Sequence, residues 1–259
     1  MTKTGGFEMN VVRNNLKSGK TIVGTSGSVV TENMAMIANS DLDFILFDTQ
    51  HAPVGDAKQY TQAIQSLNGK DIAPIVRVSG NRAELICFAL DAGARGIIVP
   101  MVNTKEEAIA MVRACKYSPL GDRSNAGVRG EWGETKNYRD YLDTVNKELL
   151  IIPMIETQQA IDNIEDILSV PGIDVLLIGP SDLSIELGCP LDYACDTYQA
   201  GLDKIAAACK KHGVVPGMYF IPPTMDPNFF VDKGFKFFTM PWANWAVEGV
   251  QNGLSNIKM

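Results

Sequence analysis

Histidine is almost missing from this chain: two in 259 residues, His51 and His212. Positive charge is also short, with 23 Lys and Arg against 30 Asp and Glu and a net charge of −7. A nucleic-acid-binding surface needs a basic face, so that class is excluded. No apolar run reaches the roughly 20 residues that span a bilayer. The start, Met1-Thr2-Lys3-Thr4-Gly5-Gly6, lacks the apolar stretch of a signal peptide. The five cysteines, Cys87, Cys115, Cys189, Cys195 and Cys209, are odd in number and have no zinc-like spacing, which predicts free thiols in a reducing cytoplasm. Neither a G-x-G-x-x-G nor a Walker sequence occurs, so no nucleotide-binding loop is expected. Repeats and low-complexity linkers are absent too, and residues 1–259 read as a single domain.

What is present is an alternation. Apolar runs suited to buried parallel strands fall at Thr21–Thr25, Phe44–Asp48, Ala73–Val78, Gly96–Pro100, Leu149–Ile155, Val175–Ile178, Val214–Tyr219 and Lys236–Met240. Amphipathic helices follow most of them. Thr104-Lys105-Glu106-Glu107 is a capping-box start, and Ile161, Ile164 and Leu168 form the buried stripe of another helix. Lys210-Lys211-His212-Gly213 reads as a helix end, which gives His212 a structural role. Eight such units predict an α/β fold of the (β/α)8 TIM barrel type; a doubly wound open sheet is the alternative. Two segments break the rhythm. One is an excursion at about 118–148, polar and rich in Gly and Arg. The other is a terminal helix at about 242–258, whose Trp242, Trp245, Val250 and Leu254 suit packing on a neighbouring subunit.

In a (β/α)8 barrel the chemistry lies at the C-terminal ends of the strands. Asp48, Gln50 and His51 follow the second strand, and Arg77 ends the third. Glu156 ends the fifth, after Met154. Gly179-Pro180-Ser181-Asp182 follows the sixth. Charge at the end of an apolar strand is costly unless it is paired or used. Asp48 is placed to orient His51 as a proton carrier. Glu156 and Asp182 can hold one hard divalent ion such as Mg, or serve as an acid–base pair with separated pKa values. Arg77 suits a carboxylate or enolate oxygen, and the Gly179–Ser181 amides suit a second carboxylate. The substrate class is an anionic 2-oxo acid. No Lys stands at the rim, which argues against Schiff-base chemistry.

These residues resemble the HpcH/HpaI aldolase family, the class II pyruvate aldolases of the phosphoenolpyruvate/pyruvate barrel superfamily. The matching stretches are Phe44–Pro53, Pro74–Val78, Leu90–Ala94 with Ile97–Met101, Ile155–Thr157 and Ile178–Ser184. The resemblance implies that His51 is a base, that Arg77 holds the 2-oxo group, that Glu156 and Asp182 bind the metal, and that Asp91 reaches the neighbouring subunit's site. It also implies dimers that exchange the terminal helix, assembled up to hexamers. Three positions depart from the family pattern: Met154 replaces Gln, Ser26 replaces an aromatic after the first strand, and Gln50 replaces Glu. The departures resemble a branch of the family, the citrate synthases of siderophore pathways (staphyloferrin B type). That branch implies condensation of oxaloacetate with acetyl-CoA, with no cofactor strictly required and Glu156 or Asp182 as the base. Arg123, Arg129, Lys136 and Arg139 form a basic patch for CoA phosphates in this reading. The competing readings are a divalent-metal aldolase acting on 4-hydroxy-2-oxo acids and a non-catalytic sensor of 2-oxo acids.

Overall fold

The computed structural model describes residues 10–26, 31–52, 57–128, 131–223 and 225–255. Gly27, Ser28, Pro53, Arg129 and the last turn of the expected terminal helix, residues 256–258, lie outside them. Eight strands follow the expected runs to within about a residue: β1 (Ile22–Ser26), β2 (Phe44–Asp48), β3 (Ala73–Arg77), β4 (Gly96–Val99), β5 (Leu150–Ile155), β6 (Val175–Ile178), β7 (Val215–Met218) and β8 (Phe237–Met240). All pair in parallel in chain order, and β8 pairs with β1, which closes the barrel. The helices before β5 are α1 (Val11–Lys17), α2 (Thr31–Ala38), α3 (Ala57–Gln65), α4 (Ala83–Ala92), α5 (Lys105–Cys115) and α6 (Tyr138–Glu148). Those after it are α7 (Gln158–Asp162), α8 (Ile164–Leu168), α9 (Pro180–Glu186), α10 (Asp196–His212), α11 (Pro227–Asp232) and α12 (Trp242–Ser255). Among the described residues no helix is long and apolar enough to cross a membrane.

Strand side chains alternate between two cores. Outward residues such as Ile45, Phe47, Val76 and Leu176 join the helices in one cluster. Inward residues Ile22, Phe44, Leu46, Ala73, Ile75, Ile98, Ile152, Met154, Val175, Leu177 and Phe237 fill the barrel. Phe44 and Phe237 stack there with centroids 4.5 Å apart. Gly24 makes that possible, because a Cβ on it would enter the Phe44 ring. The N-terminal mouth is plugged by Val11 and Val12 of α1. Asn10 donates to the carbonyls of Arg95 and Glu148 at 3.0 and 2.9 Å, and Arg13 pairs with Asp174 at 2.7 Å.

Two expectations are corrected. The excursion at 118–148 ends in α6, whose Tyr141 and Val145 are buried, and Trp132 is 1% exposed. Of the residues read as a basic patch, Arg123 and Arg139 are paired within the chain. Arg123 is buried, pairs with Asp91 at 3.5 Å and lies over the Tyr117 ring, while Arg139 pairs with Asp143 four residues on. The stripe Ile161, Ile164, Leu168 is buried as expected, but on two short helices, because the chain kinks at Asn163, which donates to Asn103 C=O. The Thr104–Glu107 capping box is closed at both bonds. His212 Nε2 lies 2.6 Å from Glu165 Oε2, the structural role expected of a helix-end histidine.

Candidate functional site

Strand parity builds the site. Continuing the inward alternation past the last apolar residue of each strand puts Asp48 after Leu46, Arg77 after Ile75, Glu156 after Met154, Gly179 after Leu177 and Ser26 after Gly24. A pocket of about 220 Å³ at this C-terminal mouth is lined by His51, Arg77, Met154, Glu156, Gly179, Pro180, Ser181, Asp182, Tyr219 and Phe220. Ser26 and Gln50 stand at neighbouring strand ends but are not in that lining. Asp91 sits on α4, outside the barrel mouth of its own chain, against Arg123.

Arg77 is only 4% exposed, yet its charge is held firmly. Its Nε donates to Asp48 Oδ1 at 2.8 Å and its Nη2 to Asp48 Oδ2 at 2.5 Å, a bidentate pair. The guanidinium lies over the Tyr219 ring, 4.1 Å from the centroid, and Tyr219 Oη donates to Asp48 Oδ2 at 3.3 Å. Nη1 is not taken by Asp48. Burial works against ionisation of Asp48, but the Arg77 hydrogen bonds and the Gln50 and His51 amides outweigh it and hold the carboxyl below its usual range. Burial pushes the Tyr219 hydroxyl up to about 12, so it stays a donor at neutral pH. Asp48 is therefore a partner of Arg77 and not the orienter of the His51 ring, as its sequence position had suggested. His51 is exposed at the pocket edge.

Glu156 is 1% exposed. Its Oε2 accepts the Met101 N–H at 2.9 Å, and Met101 takes a left-handed φ of 56° to present that amide. Burial raises the Glu156 pKa, the Asp182 carboxyl adds to the rise, and the Met101 amide and Arg77 oppose it. Gly179 permits the approach: a Cβ there would overlap Glu156 Oε1. The expected amide cradle is smaller than predicted. Gly179 N–H bonds Ile155 C=O at 3.4 Å and Pro180 has no N–H, which leaves the Ser181 and Asp182 amides at the start of α9.

Tyr219, Phe220 and Met101 were missed from the sequence. One of them was legible: Tyr219 follows Gly217 in the same alternation that places Arg77 and Glu156. Met101 contributes through its backbone, which no residue type announces.

This mouth gathers a fixed guanidinium and two carboxylates in one pocket, at the end of the barrel where enzymes of this fold carry their chemistry. Residues 28–242 match the HpcH/HpaI aldolase/citrate lyase family, and the chain belongs to it. It is thus an enzyme that makes or breaks carbon–carbon bonds. The chain is 36% identical over 221 residues to the 2-keto-3-deoxy-L-rhamnonate aldolase of Klebsiella pneumoniae, covering 83% of this chain and 81% of that protein. It is 30% identical over 211 residues to the hydroxypyruvate/pyruvate aldolase of Roseovarius nubinhibens, with 80% and 82% covered. Among solved structures, the citrate synthase SbnG superposes with a TM-score of 0.79 at 25% identity, covering 96% of this chain and 97% of that one.

Proposed function

We propose that the protein is an aldolase that cleaves 4-hydroxy-2-oxo acids to pyruvate and an aldehyde, or runs the reverse condensation. The observation that supports it most is the meeting of Arg77 with Glu156 and Asp182 in one pocket. Similarity to two aldolases of 2-oxo acids points the same way. The donor set suits a divalent cation of the Mg type. Such ions take one or two carboxylates and complete their shell with water and substrate. Glu156 and Asp182 are two oxygen ligands of this sort, while the described residues contain no cluster of three acidic, His or Cys groups that would form an all-protein cage. A cation held by Glu156 and Asp182 supplies Lewis-acid polarisation of the 2-oxo group.

The chain's own groups do the rest. The substrate carboxylate meets the Ser181 and Asp182 amides. Arg77 Nη1 faces the 2-oxo oxygen, with Asp48 and Tyr219 fixing the fork. In cleavage His51 takes the 4-hydroxyl proton as the C3–C4 bond breaks. The electron pair moves from that bond onto C3 and the 2-oxo oxygen, giving an enolate stabilised by Arg77. The proton taken by His51 is returned to C3, which yields pyruvate and leaves His51 ready for another cycle.

A second reading is citrate synthesis from oxaloacetate and acetyl-CoA in a siderophore pathway. Met154, fully buried in the pocket wall where a polar residue would serve a metal-held water, favours it, as does the likeness to SbnG. Against it, Arg123 and Arg139 are already paired and offer no free patch for CoA phosphates. One pair of assays separates the readings. Pyruvate release from a 4-hydroxy-2-oxo acid is expected to stop with chelator and return with Mg²⁺ or Mn²⁺. Free thiol release from acetyl-CoA with oxaloacetate, unaffected by chelator and without pyruvate release, replaces the aldolase reading. Binding of pyruvate with neither turnover makes the chain a sensor.

A further inference from the structure

The left-handed backbone of Met101 calls for a cause, because an L-residue stays in that region only when its surroundings hold it there. The Met101 side chain supplies none, since it is 44% exposed. The hold is on the backbone. Asn103 Nδ2 donates to Met101 C=O at 3.1 Å, while Met101 N–H donates to Glu156 Oε2 at 2.9 Å. The partners also fix the orientation of the Asn103 amide. A carbonyl can only accept, so the nitrogen faces Met101, and Asn103 Oδ1 accepts from Thr157 Oγ1. Thr157 is the residue after Glu156 and the N-cap of α7, where its Oγ1 accepts the Ala160 N–H at 3.0 Å. One side chain thus ties the β4–α5 loop to the β5–α7 loop where both meet Glu156.

Helix capping does not account for this side chain. Thr104 is the N-cap of α5 and Glu107 closes the box, so α5 needs nothing from the Asn103 amide. The Asn103 backbone is anchored separately. Its N–H donates to Glu107 Oε2 at 2.6 Å, and its C=O accepts from Asn163 Nδ2 at 2.9 Å. Val102 N–H bonds Met154 C=O at 3.2 Å and keeps the loop against β5. The side chain therefore reaches Met101 from a fixed point.

We propose that Asn103 is a positioning residue for Glu156. It holds Met101 left-handed, and the Met101 N–H in turn holds Glu156 Oε2, which leaves Oε1 on the side of Gly179 and α9. The inference rests on the reading of Glu156 as a group of the reaction centre, which the aldolase and citrate-synthesis chemistries share. Without the Asn103 amide, Met101 relaxes toward an ordinary φ, its N–H turns from Glu156, and the carboxylate loses its fixed orientation.

The test compares one substitution in two backgrounds. Asn103→Ala keeps the backbone anchors and removes the side-chain tie. It should lower turnover on the order of tenfold, the rate equivalent of the penalty on one left-handed L-residue. Turnover is read as pyruvate release or thiol release, whichever the wild type supports. Glycine enters the left-handed region without that penalty. In a Met101→Gly background the same Asn103→Ala should therefore lower turnover far less. A second readout is hydrogen exchange followed by mass spectrometry with single-residue fragmentation. The Met101 N–H should exchange on the order of tenfold faster in Asn103→Ala than in wild type. Exchange needs no substrate, so it decides the tie even if the wild type runs neither reaction, an outcome that would strike the reading of Glu156 instead. Unchanged Met101 exchange in Asn103→Ala overturns the proposal. So does a loss of turnover just as large in the Met101→Gly background, which would make Asn103 a general loop tie with no hold on the Met101 turn.

Discussion

Arg77 shows how much of a catalytic residue lies in its neighbours. Asp48 grips two of its nitrogens and Tyr219 lies beneath its plane, so only part of the fork is left for substrate. Arg77→Lys keeps the charge but loses the bidentate geometry. A broken, desolvated charge pair costs on the order of 2–5 kcal/mol, so kcat/KM for a 4-hydroxy-2-oxo acid should fall by at least about tenfold in steady-state assays. Near-normal kinetics would remove Arg77 from the site. Glu156→Gln tests charge at nearly constant shape. As a metal ligand its loss should weaken metal affinity, with part of the rate returning as divalent metal is raised. A rate that stays roughly 10²–10⁴ lower across the titration would instead mark Glu156 as a proton-transfer group. Stability gives a second readout. The folded protein holds the Glu156 proton more tightly than the unfolded chain does. Its contribution to folding is therefore full below about pH 4, the ordinary carboxyl range, and is lost as pH rises through the elevated folded value. Ionised Glu156 is a net cost at neutral pH, so the Gln variant should melt higher than wild type at pH 7, and the gap should close toward pH 4.

At the scale of elements, the strands were legible because each is an apolar run flanked by polar residues. Their inward parity was equally readable, and carrying it one strand further finds Tyr219. The burial within the 118–148 segment was hidden for a physical reason. It is carried by Trp132 and by a few positions of α6 within a polar sequence, so composition alone gave no stripe, and Arg123 finds its partner, Asp91, distant in sequence. The pairing of Asp48 with Arg77, across two strands and 29 residues, was likewise invisible where an adjacent histidine offered a nearer partner. The β6–α9 junction carries a sharp prediction. Gly179→Ala puts a methyl group where Glu156 Oε1 lies. Overpacking of this kind costs about 1–3 kcal/mol, so the variant should melt lower and lose most of its turnover. Full activity with unchanged melting would mean that Glu156 has room to move aside.

The whole molecule leaves α12 unfinished. None of its residues is buried, and Val247, Val250 and Leu254 are 56, 62 and 47% exposed. We propose that a neighbouring subunit covers this stripe, as the exchanged terminal helix expected from the sequence would do. Val247→Lys combined with Val250→Lys should convert the native assembly to monomers in light scattering coupled to size exclusion, with the barrel's circular dichroism unchanged. A wild-type protein that elutes as a monomer would refute the covered stripe.

The barrel also sorts its residues by end. The plug at the N-terminal mouth, with Asn10 on two carbonyls and Arg13 on Asp174, lies at the opposite end of the strands from Arg77 and Glu156. In a saturation library scored once for cellular abundance and once for growth on the substrate, the two ends should separate. Substitutions at Asn10, Arg13 and Asp174 should lower both scores together, and substitutions at the pocket should lower growth alone. New substrate preferences are therefore open to selection at one rim while the opposite end keeps the scaffold folded.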